Sequence, residues 1–532
     1  MVQVGVASLL IALQVIAPTQ VWSALPTLGD GASSVTTGEE RRLGDGIVRE
    51  LYRDPDYIDD PVLQEYVEDI WQQLQDAARA KGELSPELQE RFAWTLLIGR
   101  EGQVNAFALP GGYMGVYLGL VGIVATRDEL ASVIAHETTH ITQRHIARMM
   151  AQQGKQAPLL MAALILGALA ATRSGQAAQA LMVGTPALMM QNQLNFSRDM
   201  EREADRMGYS LMAPAGFAPQ GFVDMFGKLQ QASRLNDNGS WPYLRSHPLT
   251  TERIADMHSR MELGKTPTGS KPTLEHVMVS ARARVLSRPG PDALRQWAQQ
   301  PRSGSFGSLP MAQQVGQLYQ GTLSSMELND WPLARESAKR LLAATQQDTD
   351  AYRQAQLLDA QLELKAGQAA NALAALPASN TSKPAKPAAV TASGNLAGPS
   401  LETVTVSESR GPRRPELLLK TDILLRLKKA ASMASPLQTW VTDHPRDGTA
   451  WQVLAQVWRQ DGQELRALRA DAEAQMAYYD YAGAVDRFKA AQDFARKSGV
   501  QTDHFEASIV DTRLRTAQDL LGEQTRDKRI NN

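Results

Sequence analysis

The chain has 532 residues, enough for more than one domain with a core of its own. Its 55 Lys and Arg against 57 Asp and Glu leave a formal net charge of −2, a balance with no electrostatic footprint for nucleic acid. Cysteine is absent, which excludes disulfides, thiolate metal sites and a lipidated N-terminal Cys; aromatic content is only 6% while Ala, Leu and Gln abound, favouring helix over sheet.

Val4 to Pro18 is an almost unbroken apolar run, followed by Val21-Trp22-Ser23-Ala24. Small residues there suit cleavage, so residues 1–24 read as a signal peptide, although no Lys or Arg precedes the run. The run is short of the roughly 20 residues a membrane span needs. An extended lead-in then gives way to a helix over Glu39–Tyr52, and a second helix is predicted from Pro61 to Lys81. Ala93–Ile98 reads as a strand, Gly111-Gly112 as a turn and Tyr113–Val121 as another strand, forming one small sheet. The second strand is either an edge that pairs with an extended peptide or an internal strand.

Next comes a predicted helix through Asp128–Met150 carrying His136-Glu137-Thr138-Thr139-His140. Residues four apart are offset by about 40° on a helix, so His136 and His140 can bind one metal ion together. Glu137 stands about 100° from His136 and about 60° from His140. It lies beside the metal, where a carboxylate takes a proton from metal-bound water. Leu130, Val133 and Ile134 supply a buried stripe before the motif. His145, nine residues after His136, points to the opposite side of such a helix and reads as a surface or packing histidine.

Pro158–Ala171 and Ala177–Met190 are apolar but short for spans. They read as a buried or capping helical pair, or as a surface that touches membrane or covers the site. In Ser197-Arg198-Asp199-Met200-Glu201-Arg202-Glu203-Ala204-Asp205, Glu201 and Asp205 share one helix face while Asp199 and Glu203 point away. Taken alone, the four acids suit a solvated face paired with Arg198, Arg202 and Arg206. Beside the metal helix, Glu201 becomes the third ligand, and Asp205 accepts a hydrogen bond from a ligand imidazole.

From about residue 270 the pattern is helix after helix. Asp330-Trp331-Pro332-Leu333-Ala334 with Ala338, Gly367 with Ala372, and Trp451, Leu454, Ala455, Trp458, Gly462 and Ala467 match the large, small and turn positions of tetratricopeptide repeats. Asp480-Tyr481, Ala484, Phe488 and Ala491 match the second half again. Pro377–Arg414, rich in Pro, Ala, Ser, Thr and Gly, reads as a flexible insertion within the repeats.

His136-Glu137-x-x-His140 followed by Ser197-Arg198-x-x-Glu201-x-Glu203-Ala204-Asp205 resembles the Ste/HtpX-type family of zinc metallopeptidases, of the gluzincin group. The similarity runs from about Leu25 to Thr525, and includes Asn105-Ala106-Phe107-Ala108 and His140-Ile141-Thr142-Gln143-Arg144-His145. It is nearer to a periplasmic subgroup with C-terminal tetratricopeptide repeats. The resemblance implies one zinc ion per chain on His136, His140 and Glu201, with Glu137 as general base and Asp205 in support. It draws attention to Ser246-His247-Pro248-Leu249 and Arg253. In the subgroup this loop His can take the fourth zinc position and hold the enzyme resting; from sequence alone, His247 equally caps the next helix. Arg253 either stabilises an oxyanion or pairs with Glu252 or Asp256.

The expected fold is therefore mostly α. A gluzincin-like metallopeptidase domain with a small sheet (25–268) precedes helical repeats (269–376 and 415–525) interrupted by the insertion (377–414), with a tail at 526–532. The expected function is a zinc endopeptidase of the periplasm acting on damaged or misassembled proteins. Outer-membrane proteins and their assembly machinery are the implied partners, with peripheral membrane contact through 158–190. The alternatives are a chaperone or adaptor with a silent zinc site, and an integral membrane protease with spans in 158–190.

Overall fold

The Thr36 hydroxyl accepts from the Glu39 amide while the Glu39 carboxylate accepts from the Thr36 amide, a reciprocal cap that starts α1 (Thr37–Tyr52). The fold is seen in a computed structural model that describes residues 35–153, 165–167, 197–234, 240–262, 271–377, 413–497 and 503–530. The predicted signal segment, most of 158–190 and the insertion between 378 and 412 lie outside the described residues. The described chain is mostly helical with one four-stranded sheet. No helix among the described residues is long and apolar enough to cross a membrane.

The sheet comprises β1 (Tyr57–Ile58), β2 (Thr95–Gly99), β3 (Ala106–Leu109) and β4 (Tyr113–Tyr117), in the order β1-β2-β4-β3. β2 and β4 run parallel; β3 and β4 form an antiparallel hairpin with Phe107 opposite Gly115. Its turn uses Gly111 and Gly112, both at positive φ (78° and 84°), where a side chain would also strike Arg41 and Phe92. The strand expected over Tyr113–Val121 stops at Tyr117, and Leu118–Ile123 turn into α4. It is internal, so β3 is the edge on the side away from β2. Helices α2 (Pro61–Ala80), capped by Asp60, and α3 (Pro86–Arg91), capped by Ser85, precede β2.

Helix α5 (Arg127–Thr142) is capped by Thr126 and buried on every side from Glu129 to Thr142. It is enclosed by α2, β3, α7 (Arg198–Met212) and α8 (Gln220–Arg234). Two glycines allow this close approach: a Cβ on Gly208 of α7 would sit 3.1 Å from the His136 nitrogen, and one on Gly221 of α8 only 2.3 Å from the Asp128 carbonyl oxygen. The single helix expected through Asp128–Met150 is two. α5 ends at Thr142, Arg144 takes φ 50°, and α6 (His145–Gln153) sets off again. The left-handed Arg144 is pinned by its guanidinium, which bonds Glu40 Oε2 at 2.8 Å and the Val35 carbonyl at 2.7 Å. In α6's neighbourhood, Ile165 is buried with Met149, Met150 and Met200.

Short α9 (Tyr243–Ser246) and α10 (Thr251–Glu262) close this region. α11 (Leu274–Leu286) then packs on α4 and α2 and leads to α12 (Pro291–Gln299). Helices α13 (Met311–Glu327), α14 (Trp331–Thr345), α15 (Thr349–Lys365), α16 (Ala369–Ala375), α17 (Arg414–Arg426), α18 (Ala434–Asp443), α19 (Gly448–Gln460), α20 (Glu464–Ala477), α21 (Tyr481–Lys497) and α22 (His504–Ile530) follow. One turn recurs among them. Asn329, Gly367, Lys428, Gly462 and Tyr479 all take positive φ just after a helix. Each is followed by an amide bonded five residues back, as in Asp330 to Ser325 and Asp480 to Gln475. At all but Lys428, where the short helical turn Ala430–Met433 follows, these Schellman turns return the chain as a helical hairpin.

Candidate metal centre

Three imidazoles and one carboxylate meet where α5, α7 and the loop after α9 converge. His136, His140, Glu201 and His247 are all buried, and one donor atom from each lies within 4.8 Å of the others. His136 Nε2 is 3.0 Å from His140 Nε2 and 3.3 Å from His247 Nδ1. Glu201 Oε1 is 3.0 Å from His247 Nδ1 and 3.5 Å from His140 Nε2. Donors at about 2.0–2.1 Å from a tetrahedral zinc ion stand about 3.3 Å apart, so this donor set and spacing fit that ion. Thr138 and Thr139, the central pair of the motif, turn their hydroxyls back onto the Ile134 and Ala135 carbonyls and leave the site to the histidines.

Glu137 lies beside the cluster, fully buried. Its Oε2 accepts from the Ala108 amide of β3 at 3.0 Å, and its Oε1 has no hydrogen-bond partner among the described residues. Asp205 stands behind the cluster, with Oδ1 3.0 Å from His136 Nδ1. Arg253 pairs with neither Glu252 nor Asp256. It grips Asp205 through Nε and Nη2 at 2.6 and 2.8 Å, reaches Glu201 through Nη1 at 2.7 Å, and donates to the Pro248 carbonyl. Asp256 takes Arg260 instead. His247 does not cap α10: the Thr250 hydroxyl does, accepting from Arg253 N. The His247 ring stacks on Tyr243 at 4.5 Å, and the Tyr243 amide donates to the Val104 carbonyl, lacing this segment to the residues before β3.

Burial opposes a charged His136, but hydrogen bonds to Asp205 and Glu201 outweigh it and lift its pKa to about 10 when no metal is bound. Burial and the neighbouring histidines push His140 well below the usual range. Burial alone would raise Glu201; His247 and His136 hold it well below instead. The cluster is thus a set of opposed charges kept from water, an environment of the kind that suits a divalent cation.

Two residues read as pointing away from the site belong to its surroundings. His145 is fully buried with Nδ1 2.7 Å from His140 Nδ1, and Glu203 accepts from His145 and Arg148. Continuous-helix geometry placed His145 on the far side; the break at Arg144 brings it under His140. Asp199 is exposed and pairs with Arg202. A cleft of about 1620 Å³ opens elsewhere, between α2 with β2 and the segment Ser435–Thr449, and holds none of the four cluster residues.

A buried His-Glu-x-x-His helix joined by a carboxylate from a second helix defines a metallopeptidase. Residues 62–261 match peptidase family M48. The β-barrel assembly-enhancing protease of Escherichia coli is 31% identical over 349 residues, which are 64% of this chain and 68% of that protein. A Vibrio cholerae relative is 35% identical over 265 residues, so the chain spans about half of that protein (52%). A mitochondrial metalloendopeptidase of Saccharomyces cerevisiae is 28% identical over 196 residues, 36% of this chain and 54% of the other. The chain belongs to peptidase family M48.

Proposed function

We propose that this chain is a zinc endopeptidase with His136, His140 and Glu201 as ligands, Glu137 as general base and Asp205 as the support of His136. The convergence of four buried donors, with neighbouring donor atoms 3.0 to 3.5 Å apart, carries the reading. Bound zinc would supply Lewis acidity and a water of lowered pKa. Glu137, with Oε2 fixed by Ala108 and Oε1 free of hydrogen bonds though 3.5 Å from His247 Nε2, takes the proton from the attacking water and delivers it to the leaving amine. The Ala108 amide ties this base to edge strand β3, along which an extended peptide would pair. His247 holds the position that a substrate carbonyl needs, so the site rests closed until the Tyr243–His247 segment withdraws. Arg253, buried between two carboxylates, keeps Glu201 and Asp205 in place, and its engagement argues against an oxyanion role. Glu137→Gln should lower peptide hydrolysis about 10²–10⁴-fold while zinc stays bound. Wild-type turnover by that variant would remove the enzymatic reading. His247→Ala should raise turnover.

Relatives named for β-barrel assembly support clients among misassembled outer-membrane proteins, a periplasmic location, and recruitment of the assembly machinery by residues 269–376 and 415–525 as tetratricopeptide repeats. Residues 25–268 would be the catalytic domain, 377–414 the insertion within the repeats, and 158–190 a peripheral membrane contact. The closed position of His247 also favours a second role, as a chaperone whose zinc site is silent much of the time. Complementation by the Glu137→Gln chain separates the two: rescue of assembly without proteolysis supports the chaperone role.

A further inference from the structure

Two ligand imidazoles of one metal centre need fixed tautomers, and this chain secures them by different means. His136 Nδ1 faces a carboxylate directly, Asp205 at 3.0 Å. The corresponding nitrogen of His140 faces another imidazole, His145 Nδ1, at 2.7 Å, with the rings at 76° to each other. His145 Nε2 in turn lies 3.2 Å from Glu203 Oε2, which also accepts from Arg148 Nη1 at 2.9 Å.

Proton positions follow from the partners. Ionised Glu203 only accepts, so His145 carries its proton on Nε2 and presents a lone pair at Nδ1. His140 Nδ1 must then donate, which leaves the lone pair on Nε2, the nitrogen that faces His136 and Glu201. The reverse assignment would set a lone pair of His145 against a carboxylate. We infer that His145 and Glu203 form a positioning relay that fixes the tautomer and ring orientation of His140 for metal binding. The relay rests on the metal-centre reading above. It exists because the helix breaks: on a continuous helix His145 would lie about 140° around from His140. Arg144, held at positive φ by Glu40 and the Val35 carbonyl, turns the chain so that His145 comes beneath the ligand.

The test is the zinc dissociation constant of the purified full-length chain, measured by chelator competition, alongside the melting temperature of the metal-free protein. His145→Leu should weaken zinc about 10–100-fold, and Glu203→Ala about tenfold. His145→Asn, whose amide oxygen can accept from His140 where Nδ1 did, should stay within about threefold of wild type. A merely structural histidine would give no such rescue, because both substitutions would disturb the metal-free protein alike. Wild-type zinc affinity in His145→Leu, or His145→Asn as weak as His145→Leu, overturns the relay. If His145→Leu does not fold, Glu203→Ala against His145→Asn decides: weaker zinc in the former supports the relay, and equal wild-type affinity overturns it. A wild-type chain that binds no zinc overturns the metal-centre reading instead.

Discussion

At the scale of single residues, the cluster depends on charges placed where water cannot help them. Arg253 is the cation between Glu201 and Asp205, all three buried. Removing one member of such a group strands the rest, so Arg253→Met should cost about 3–5 kcal/mol in denaturant unfolding of the metal-free protein. An arginine serving only an oxyanion would leave that stability untouched. His276 offers a pH handle far from the metal. The Tyr66 hydroxyl donates to its Nδ1 and its Nε2–H donates to the Val124 carbonyl, a neutral ring with both nitrogens used. Burial pushes its pKa down to about 4, against the pull of that carbonyl. The stability it contributes is therefore complete above about pH 6.5 and is lost as pH falls through about 4. Over that window the loss should be about 3 kcal/mol, and it should vanish in His276→Gln when unfolding is followed against pH.

At the scale of elements, the metal helix is a buried rod that tolerates no extra volume where its neighbours cross it. Gly221→Ala would drive a methyl into the Asp128 carbonyl, and should lower stability by about 1–3 kcal/mol, read from the urea midpoint. Much here was legible in the sequence. The spacing of His136, His140, Glu201 and Asp205 on two helix faces led to residues that do meet. The helix start at Pro61 is local chemistry of the kind a sequence states openly, whereas the short helix Pro86–Arg91 was not anticipated. The break at Gln143–Arg144 was not legible, because neither Gly nor Pro marks it and its cause, Glu40, lies 104 residues away. Nor was the partner of Arg253, since Glu252 and Asp256 are nearer in sequence while Asp205 is nearer in space. The end of β4 at Tyr117 was hidden too, because Leu118–Ile123 is apolar enough to suit either a strand or a buried helix.

At the scale of the whole molecule, arginines fasten the helical hairpins to the sheet-bearing region. Arg282 pairs with Asp60 at 2.7 Å; Arg353 joins Glu65 to Glu416; Arg414 bridges Asp59 and Asp447. Tyr479, at the left-handed corner of one Schellman turn, enters the apolar cluster of α1 and β4. Its hydroxyl meets Tyr113 at 2.6 Å and Arg41 at 3.2 Å. Replacing Arg353 by Ala cuts the link between Glu65, which keeps Arg413, and Glu416, which loses this partner. Calorimetry should then resolve two unfolding transitions in place of one.

Helix α1 has a consequence for how the chain is made. Its residues Glu40 and Arg41 are among the first described residues to leave the ribosome, yet they contact Arg144 and Tyr479, the latter 438 residues after Arg41. At about 5–20 residues per second, Tyr479 follows Arg41 by about 20–90 s. Through that interval the first helix of the described chain is without its last partner, so an unfinished chain lacks the seam that fastens the C-terminal helical hairpins to the sheet.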